Sequence, residues 1–375
     1  MNTFNPRFNT HDLKNLASAA YYGTNQQIYQ ELSELSELVG IQIISLPNPS
    51  VHTSASHRYP EKSLLLPAKQ SVAVLSSAVL NFTDTDCAEG RVRAAFHQAF
   101  APYFADGSVD LDLRADAAEI LELMAAVGAT IRGQVLGVIG AQGGIGTSTT
   151  SLWIAREFAR RNYSVALIDL DPNSPGIDLI ISQVNTPGKR WRDIHGSGAM
   201  LANRLTHSLP KWEGVRFLSA DSRGGVEPDA GSGENAISAL SQVHEWTILD
   251  LPTSVLHPAS PTHQWLPWCD AILLLSGVDT VSLANTQTRI SQLPPETNFA
   301  IVAVGANNRG HLADIANQLG CGAIFGLRQQ KSLRADREHG LAPGDKPRSS
   351  TSRDVRKICA ALLEAAEISE ANTQI

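Results

Sequence analysis

The sequence of 375 residues predicts two α/β domains, the second built on a mostly parallel sheet flanked by helices. Three observations lead to this fold class. Apolar segments of strand length alternate with segments whose apolar residues recur at helical spacing. A glycine-rich stretch, VLGVIGAQGGIGTSTT, combines a buried strand, a turn and the start of an amphipathic helix. The length suits two domains of about 100–200 residues each, and the stretch TIRGQ, near residue 130, is the predicted junction.

The composition is that of an ordinary globular protein, with 43% hydrophobic and 18% charged residues. A net charge of −7 argues against general nucleic-acid binding, because that role needs a basic surface. The four cysteines are scattered without CxxC spacing, which indicates neither a zinc site nor a disulfide framework. Because neither a signal peptide nor a transmembrane segment is predicted, we expect a cytoplasmic protein that reaches a membrane or septum through a partner.

The N-terminal part predicts a small doubly wound domain. Residues 1–18 have no clear period and are expected to form a flexible leader, and the domain itself extends over residues 19–130. Its predicted strands are AAYYGT, IQIISL, SLLL and SVAVLSS. Its predicted helices are NQQIYQELSELSELVG, Glu89–Phe100 and Asp116–Val127.

This order of elements resembles a response-regulator receiver domain. A receiver needs a phosphorylatable aspartate at the end of its third strand. The stretch SLLLPA has only Leu65, Leu66 and Pro67 at that place. We therefore interpret residues 19–130 as a pseudo-receiver that cannot be phosphorylated.

The glycine-rich stretch is the strongest functional signal. A strand, a tight turn and a helix N-terminus bring several unpaired backbone N–H groups to one point, and the helix dipole is positive there. Such a point favours an anion. Glycine is required because a Cβ would block the close approach of a phosphate. Two kinds of phosphate-binding loop fit the spacing.

The first is the dinucleotide-binding loop of short-chain dehydrogenases, G-x-x-x-G-x-G, matched by Gly140, Gly144 and Gly146. Asp169 ends the next predicted strand, where an acid would contact the ribose of NAD. Those enzymes also need a Tyr-x-x-x-Lys pair, and this sequence has no tyrosine beyond Tyr163. An NAD-binding role is therefore an alternative that lacks its proton donor.

The second is a P-loop. On this pattern Gly143, Gly144 and Gly146 surround the phosphates, Ser148 offers a hydroxyl to Mg²⁺, and Thr147 stands where the loop carries its lysine. No lysine occurs between Lys69 and Lys189 to replace it. Electrostatic stabilisers of this kind contribute a factor of about 100 to 1,000 in rate. We therefore expect ATP to bind and its hydrolysis to be weak or absent.

Three motifs, in order, resemble the MinD/ParA family of deviant Walker-A ATPases. AQGGIGTSTT is similar to the family's phosphate loop, VALIDLDPNSPGIDLII to its second-strand motif, and EWTILDLP to its Walker-B strand. The match covers roughly residues 130–345, within a predicted domain of residues 131–375. A degenerate receiver-like domain before it, and GIDL after the second strand, are similar to the CpaE-like branch, which includes the actinobacterial septum-site-determining proteins.

The resemblance implies a positioning or regulatory protein that binds ATP and Mg²⁺. It also implies a role in septum-site determination or in pilus or secretion machinery, and a nucleotide-dependent homodimer. Direct nucleic-acid binding is not expected. The main alternative is a scaffold protein whose nucleotide pocket is vestigial, with the fold retained for protein contacts.

Site residues follow from the same resemblance. Asp169 and Asp171 lie one residue apart at a strand end, so their side chains point to the same face. Asp171 is expected to position the attacking water. The expected metal ligands, direct or through water, are Ser148, Asp169 and Asp250. The family's signature lysine, which reaches across a dimer, is Gln142 here. The expected nucleotide-binding residues are Gln142, Gly143, Gly144, Ile145, Gly146, Thr147, Ser148, Thr149 and Asn307.

Overall fold

The computed structural model describes two compact units, within residues 17–130 and residues 132–372. The described residues are 17–46, 78–84, 90–96, 108–130, 132–181, 186–194, 202–228, 231–295, 297–306 and 308–372.

The first unit is a five-stranded sheet with two helices, and its strand order is β2-β1-β3-β4-β5. Strand β1 runs parallel to β2 and β3, whereas β4 and β5 continue the sheet in antiparallel fashion. The core includes the fully buried Leu32, Phe82 and Met124. The elements are β1 (Ala17–Tyr22), α1 (Gln26–Val39), β2 (Ile43–Leu46), β3 (Ala78–Asp84), β4 (Arg91–Phe96), β5 (Ser108–Asp112) and α2 (Ala117–Thr130).

One expectation for this unit needs correction. The predicted helix Glu89–Phe100 is wrong, because Arg91–Phe96 is strand β4. Val92 and Ala94 are buried while Arg91 is exposed, which is the two-residue period of a strand. The helix predicted near Asp116–Val127 is confirmed as α2.

The predicted strands SLLL and SVAVLSS lie outside the described residues, and with them the apolar strand end on which the pseudo-receiver prediction rests. The described strand β3 ends at Asp84. The Asp84 carboxylate accepts a hydrogen bond from the Tyr21 hydroxyl at 2.5 Å. The pseudo-receiver assignment itself stays a prediction.

The second unit is an eight-stranded sheet with the order β13-β12-β11-β6-β10-β7-β9-β8. Neighbouring strands are parallel except β8 and β9. Its strands are β6 (Gln134–Gly140), β7 (Val165–Asp169), β8 (Lys211–Trp212), β9 (Val215–Leu218), β10 (Trp246–Leu251), β11 (Ala271–Ser276), β12 (Phe299–Val304) and β13 (Ile324–Leu327). Its helices are α3 (Thr147–Arg160), α4 (Ala202–Ser208), α5 (Ser232–Val243), α6 (Thr280–Gln292), α7 (Arg309–Leu319), α8 (Leu333–Glu338) and α9 (Ser350–Asn372).

Helices cover both faces of this sheet, so its central strands are almost continuous apolar runs. The apolar stripe of the C-terminal helix α9 packs on the sheet, with Val355 and Ile358 buried while Leu362 and Leu363 pack at its margin. In the helices that the structure describes, no segment is long and apolar enough to cross a membrane.

The order of the central strands positions the functional residues. β6, which carries the glycine loop, lies beside β10, and β10 lies beside β7. Asp250 of β10 is directly opposite Asp169 of β7 in the register. Because the carboxyl ends of parallel strands meet at one edge of the sheet, the glycine loop, Asp169 and Asp250 lie close together at that edge.

Candidate phosphate-binding site

The glycine loop joins the end of β6, at Gly140, to the start of α3, at Thr147. Gly144 and Gly146 have φ angles of +75° and +100°, a backbone conformation that glycine adopts without strain. A Cβ built on Gly143, Gly144 or Gly146 would meet no atom within 4 Å. The space in front of the loop is therefore open, as a phosphate requires.

The first turn of α3 has no side-chain cap, since Gly146 occupies the N-cap position. Backbone N–H groups of a first helical turn have no partner within the helix and carry the positive end of its dipole. These groups begin at the open loop. The arrangement is suited to binding phosphate oxygens.

Thr147 lies against the loop's own strand. Its Oγ1 is 2.6 Å from where a Cβ of Gly140 would lie, and Ile145 Cγ2 is 2.8 Å from the same point. The side chain is neutral and short, so it supplies no charge to the open side of the loop.

Gln142 connects the loop to another helix of the same chain. Its Oε1 lies 3.1 Å from the Ser282 hydroxyl, which in turn lies 2.5 Å from Asp279 Oδ2. Asp279 is the N-cap of α6 and also accepts hydrogen bonds from the backbone N–H groups of Val281 and Ser282. The residue at the position of the family's signature lysine is therefore bonded within its own chain.

Asp250 is a buried carboxylate with one free oxygen. Its Oδ1 lies 3.3 Å from the Ser151 hydroxyl, which also lies 3.0 Å from the carbonyl of Thr147, while the buried Oδ2 has no hydrogen-bond partner. Burial raises the pKa of Asp250 well above its usual range, and the charge of Asp169 raises it further, although the hydroxyls of Ser148 and Ser151 oppose the shift. An unpartnered buried acceptor is costly, and a bound cation or its water would satisfy it.

Asp169 is, by contrast, bound by protein donors. Its Oδ2 accepts hydrogen bonds from the hydroxyls of Ser174 at 2.5 Å and Ser219 at 2.6 Å, and its Oδ1 accepts one from the backbone N–H of Asp171 at 3.3 Å. Its backbone carbonyl accepts a hydrogen bond from Trp191 Nε1 at 2.7 Å. Burial raises the pKa of Asp169 to about 6. Through these hydrogen bonds Asp169 fixes the position of the segment that follows β7.

The remaining predicted residues are less constrained. Asp171 is half-buried at the end of β7, and its Oδ1 accepts a hydrogen bond from the backbone N–H of Asn173 at 2.9 Å. Ser148 and Thr149 are half-buried in the first turn of α3. Asn307 lies outside the described residues.

These residues fit a Mg²⁺ ion that is bound together with a nucleotide. The described residues contain no group of three or more His, Cys, Asp or Glu side chains arranged to hold a metal. Mg²⁺ usually keeps several waters and uses one or two carboxylates plus phosphate oxygens, so a larger acidic cluster is not required. Asp250 and Ser148 offer a free carboxylate oxygen and a nearby hydroxyl. Asp169 is adjacent, but both of its carboxylate oxygens already accept hydrogen bonds.

Four residues of the site were not predicted. Ser151 stands four positions after Thr147, on the same face of α3, so helical spacing alone would have indicated it. Ser219 follows β9, which neighbours β7 only in the folded sheet. Ser174 reaches Asp169 from the loop after β7, and Trp191 from a 3-10 helix of three residues, and such short segments have no periodic signal.

We expect Ser219→Ala to lower the free energy of unfolding by about 1–3 kcal/mol at about pH 7, because the ionised Asp169 loses a donor. The Ser219 hydroxyl also accepts a hydrogen bond from the backbone N–H of Ile177, at 2.9 Å. The variant raises the pKa of Asp169 further above its present value of about 6. The decrease in the free energy of unfolding should therefore be smaller at about pH 5, where the Asp169 carboxyl is protonated in the folded state.

Urea unfolding at both pH values measures this difference. Ser208→Ala is the matched control, since the Ser208 hydroxyl donates only to the carbonyl of Leu205, in its own helix. An equal loss at both pH values would contradict the role given to Ser219.

The sequence relatives of this chain come from Mycobacterium tuberculosis. No family model matches the chain. The uncharacterized proteins Rv3660c and MT3760 are each 31% identical to it over 213 residues, which is 56% of this chain and 59% of each relative. The chain thus spans less than two thirds of the length of the curated relatives it matches.

The solved structures similar to this chain include two from Aquifex aeolicus. The MinD cell division protein has a TM-score of 0.50 and 17% identity, covering 62% of this chain and 98% of that one. The MinC:MinD cell division protein complex has a TM-score of 0.50 and 16% identity, covering 62% and 96%. At this identity the likeness concerns the fold alone. The unit with the eight-stranded sheet has the fold of the MinD/ParA P-loop ATPases.

Proposed function

We propose that this chain is an ATP-binding regulatory or positioning protein of the MinD/ParA type, with weak or absent ATP hydrolysis. The observation that carries the proposal is the open glycine loop next to the unpartnered Oδ2 of Asp250. The loop offers donors for phosphate, and the carboxylate offers an acceptor for a cation or its water. No charged group belonging to the loop faces its open side.

In this proposal each group of the site has its own role. Backbone N–H groups of the loop and of the first turn of α3 bind and orient the phosphates. Ser148 and Asp250 would hold Mg²⁺, directly or through water, and the ion neutralises phosphate charge when bound. Asp171 is placed to orient a water at the mouth of the site. The missing lysine leaves the charge between the β- and γ-phosphates without its stabiliser, so hydrolysis is slow.

The cellular role is proposed by analogy. The structurally similar MinD protein is named a cell division protein and occurs in a complex with MinC. A CpaE-like role in septum placement or in pilus or secretion machinery agrees with the two-unit chain and with its sequence motifs. In this proposal the bound nucleotide controls dimerisation of the chain or its docking on division, pilus or secretion proteins.

Calorimetric titration of the full chain with ATP and Mg²⁺ tests the binding. We expect saturable heat, reduced when Mg²⁺ is removed with a chelator, and little heat with NAD(H). The absence of both heat and thermal shift at millimolar ATP would favour the scaffold protein with a vestigial pocket. The hydrogen bonds that already satisfy Asp169 are the observation in favour of that alternative. A larger thermal shift with NAD(H) than with ATP would favour the dinucleotide-binding alternative.

We expect Gly143→Val to weaken ATP binding at least about tenfold, because the new side chain fills the space reserved for phosphate. The fold should persist, since Gly143 is exposed, has no left-handed φ angle and a Cβ there meets no atom within 4 Å. Gly322→Val is the matched control, because Gly322 is also exposed and open but lies before β13. Unchanged affinity in a folded Gly143→Val variant would contradict the assignment of this loop.

A further inference from the structure

A groove follows the edge of the large sheet at β13, between α7 and α9. Its volume is about 320 Å³, comparable with small ligand sites. It lies at the opposite edge of the sheet from β8. The residues that matter for its chemistry are Arg309, Leu312, Ile324, Phe325, Lys357 and Ile358.

The outer edge of β13 offers backbone groups for pairing. In the part of the chain that the structure describes, β13 pairs with β12 alone. The carbonyls of Ala323 and Leu327 accept hydrogen bonds from β12. Since the direction of backbone groups alternates along a strand, the N–H and C=O groups of Ile324 and Gly326 face away from β12. Such an edge is a template for another strand.

At the C-terminal end of this edge, side chains of α9 already form hydrogen bonds with the backbone groups of the residue that follows the strand. The backbone N–H of Arg328 donates to Asp354 Oδ2 at 3.0 Å, and the Thr351 hydroxyl donates to the carbonyl of Arg328 at 2.6 Å. The pairing surface therefore ends at Arg328. A segment added here would be short, in keeping with a peptide rather than a whole domain.

Apolar side chains line the groove on both faces of the sheet. Ile324 and Leu312 pack at the margin of the core on the α7 side. Phe325 packs at the margin of the core on the α9 side, where Ile358 is buried. Side chains of an added strand alternate between the two faces of the sheet. Each apolar residue of that strand would therefore contact the apolar pair on the face to which it points.

The charge of the groove is positive, although the chain as a whole carries −7. Arg328 is neutralised by Asp354, with an N–O distance of 2.6 Å. Arg309 and Lys357 are exposed, one on each flanking helix, and form no ion pair with any described residue. Acidic residues of a ligand would complement these two cations.

We propose that the groove binds an extended peptide segment of a partner protein, with apolar and acidic residues on both of its faces, by adding it to β13 as a further strand. Main-chain hydrogen bonds to Ile324 and Gly326 give the affinity. The apolar margins and the two cations give the selectivity.

A labelled peptide of about eight residues, in which pairs of valines alternate with pairs of glutamates so that each face carries both, is the probe for fluorescence anisotropy with the full chain. We expect saturable binding. The Arg309→Glu, Lys357→Glu double variant should bind at least about tenfold more weakly, because both complementary charges are reversed. Lys211→Glu, on the exposed β8 at the other sheet edge, is the control and should bind like the unaltered chain.

Hydrogen exchange gives a second measurement. The amides of Ile324 and Gly326 should exchange more slowly when the peptide is bound, since they become hydrogen-bonded. A peptide with lysine in place of glutamate, and one with a central proline, should not bind. Equal binding of either peptide, or unchanged exchange at these two amides, would overturn the proposal.

Discussion

Replacing Thr147 by lysine is expected to raise the rate of phosphate release from ATP by about 100- to 1,000-fold. The loop already has the left-handed glycines, the open space and the adjacent Asp250 that a phosphate site needs. A lysine side chain is long enough to leave the position beside Gly140 and reach the open side, where it would stabilise charge developing between the β- and γ-phosphates. Steady-state phosphate release at saturating ATP measures the effect.

Thr288→Lys is the control for this prediction. Thr288 is exposed in the middle of α6, so its substitution adds the same charge away from the loop. If Thr147→Lys binds ATP and yet releases phosphate no faster than the unaltered chain, the missing cation is not what limits hydrolysis. Rapid hydrolysis by the unaltered chain would contradict the same account.

Asp250→Asn should change stability and binding in opposite directions. We expect the free energy of unfolding without ligand to rise by about 1–3 kcal/mol at about pH 7, because a buried charge next to Asp169 is removed. Mg²⁺-dependent ATP binding should be lost in the same variant, because the free Oδ2 is its acceptor for the ion or its water. Unfolding by urea and calorimetric titration measure the two effects.

The direction of the pKa shift of Asp250 determines how the stability difference between the two chains depends on pH. The folded-state pKa of Asp250 is raised, mainly by burial. Its contribution to stability is therefore fully present below the unfolded pKa of about 4 and is lost as the pH rises through the folded pKa. The advantage of the asparagine variant should thus vanish at about pH 4 and grow as the pH rises towards the folded-state pKa.

Asp314→Asn removes an exposed carboxylate from α7 and serves as the control. It should leave both the stability and the binding close to those of the unaltered chain. If Asp250→Asn lowers stability at about pH 7, the buried carboxylate is not the costly group described above.

The parts of the fold that could be predicted are those with a strong local pattern. The buried strand β7 is an uninterrupted apolar run up to Asp169, and the glycines of the loop are a strong local signal for a strand, a turn and a helix start. The short segment Arg91–Phe96 was predicted as helix, because six residues are too few to separate the helical from the strand period. Long, regular segments are therefore the ones that a sequence pattern identifies.

The parts of the site that could not be predicted depend on contacts between distant segments. Ser219 binds Asp169 across 50 positions of the chain, and Ser282 contacts Gln142 across 140. Both contacts follow from the order of the strands in the sheet, which puts β9 beside β7 and β11 beside β6. No local pattern encodes that order. The hydroxyls are also short and chemically common, so nothing in the sequence distinguishes them from other serines.

The hydrogen bond from the Trp191 indole to the carbonyl of Asp169 has a practical consequence. Indole emission responds to changes in its immediate polar surroundings, and this indole is attached to the same residue whose carboxylate borders the phosphate site. Any ligand that displaces Asp169 would therefore alter the light emitted by Trp191. Trp191 is one of six tryptophans in the chain, so comparison with a Trp191→Phe variant would isolate this contribution to the emission.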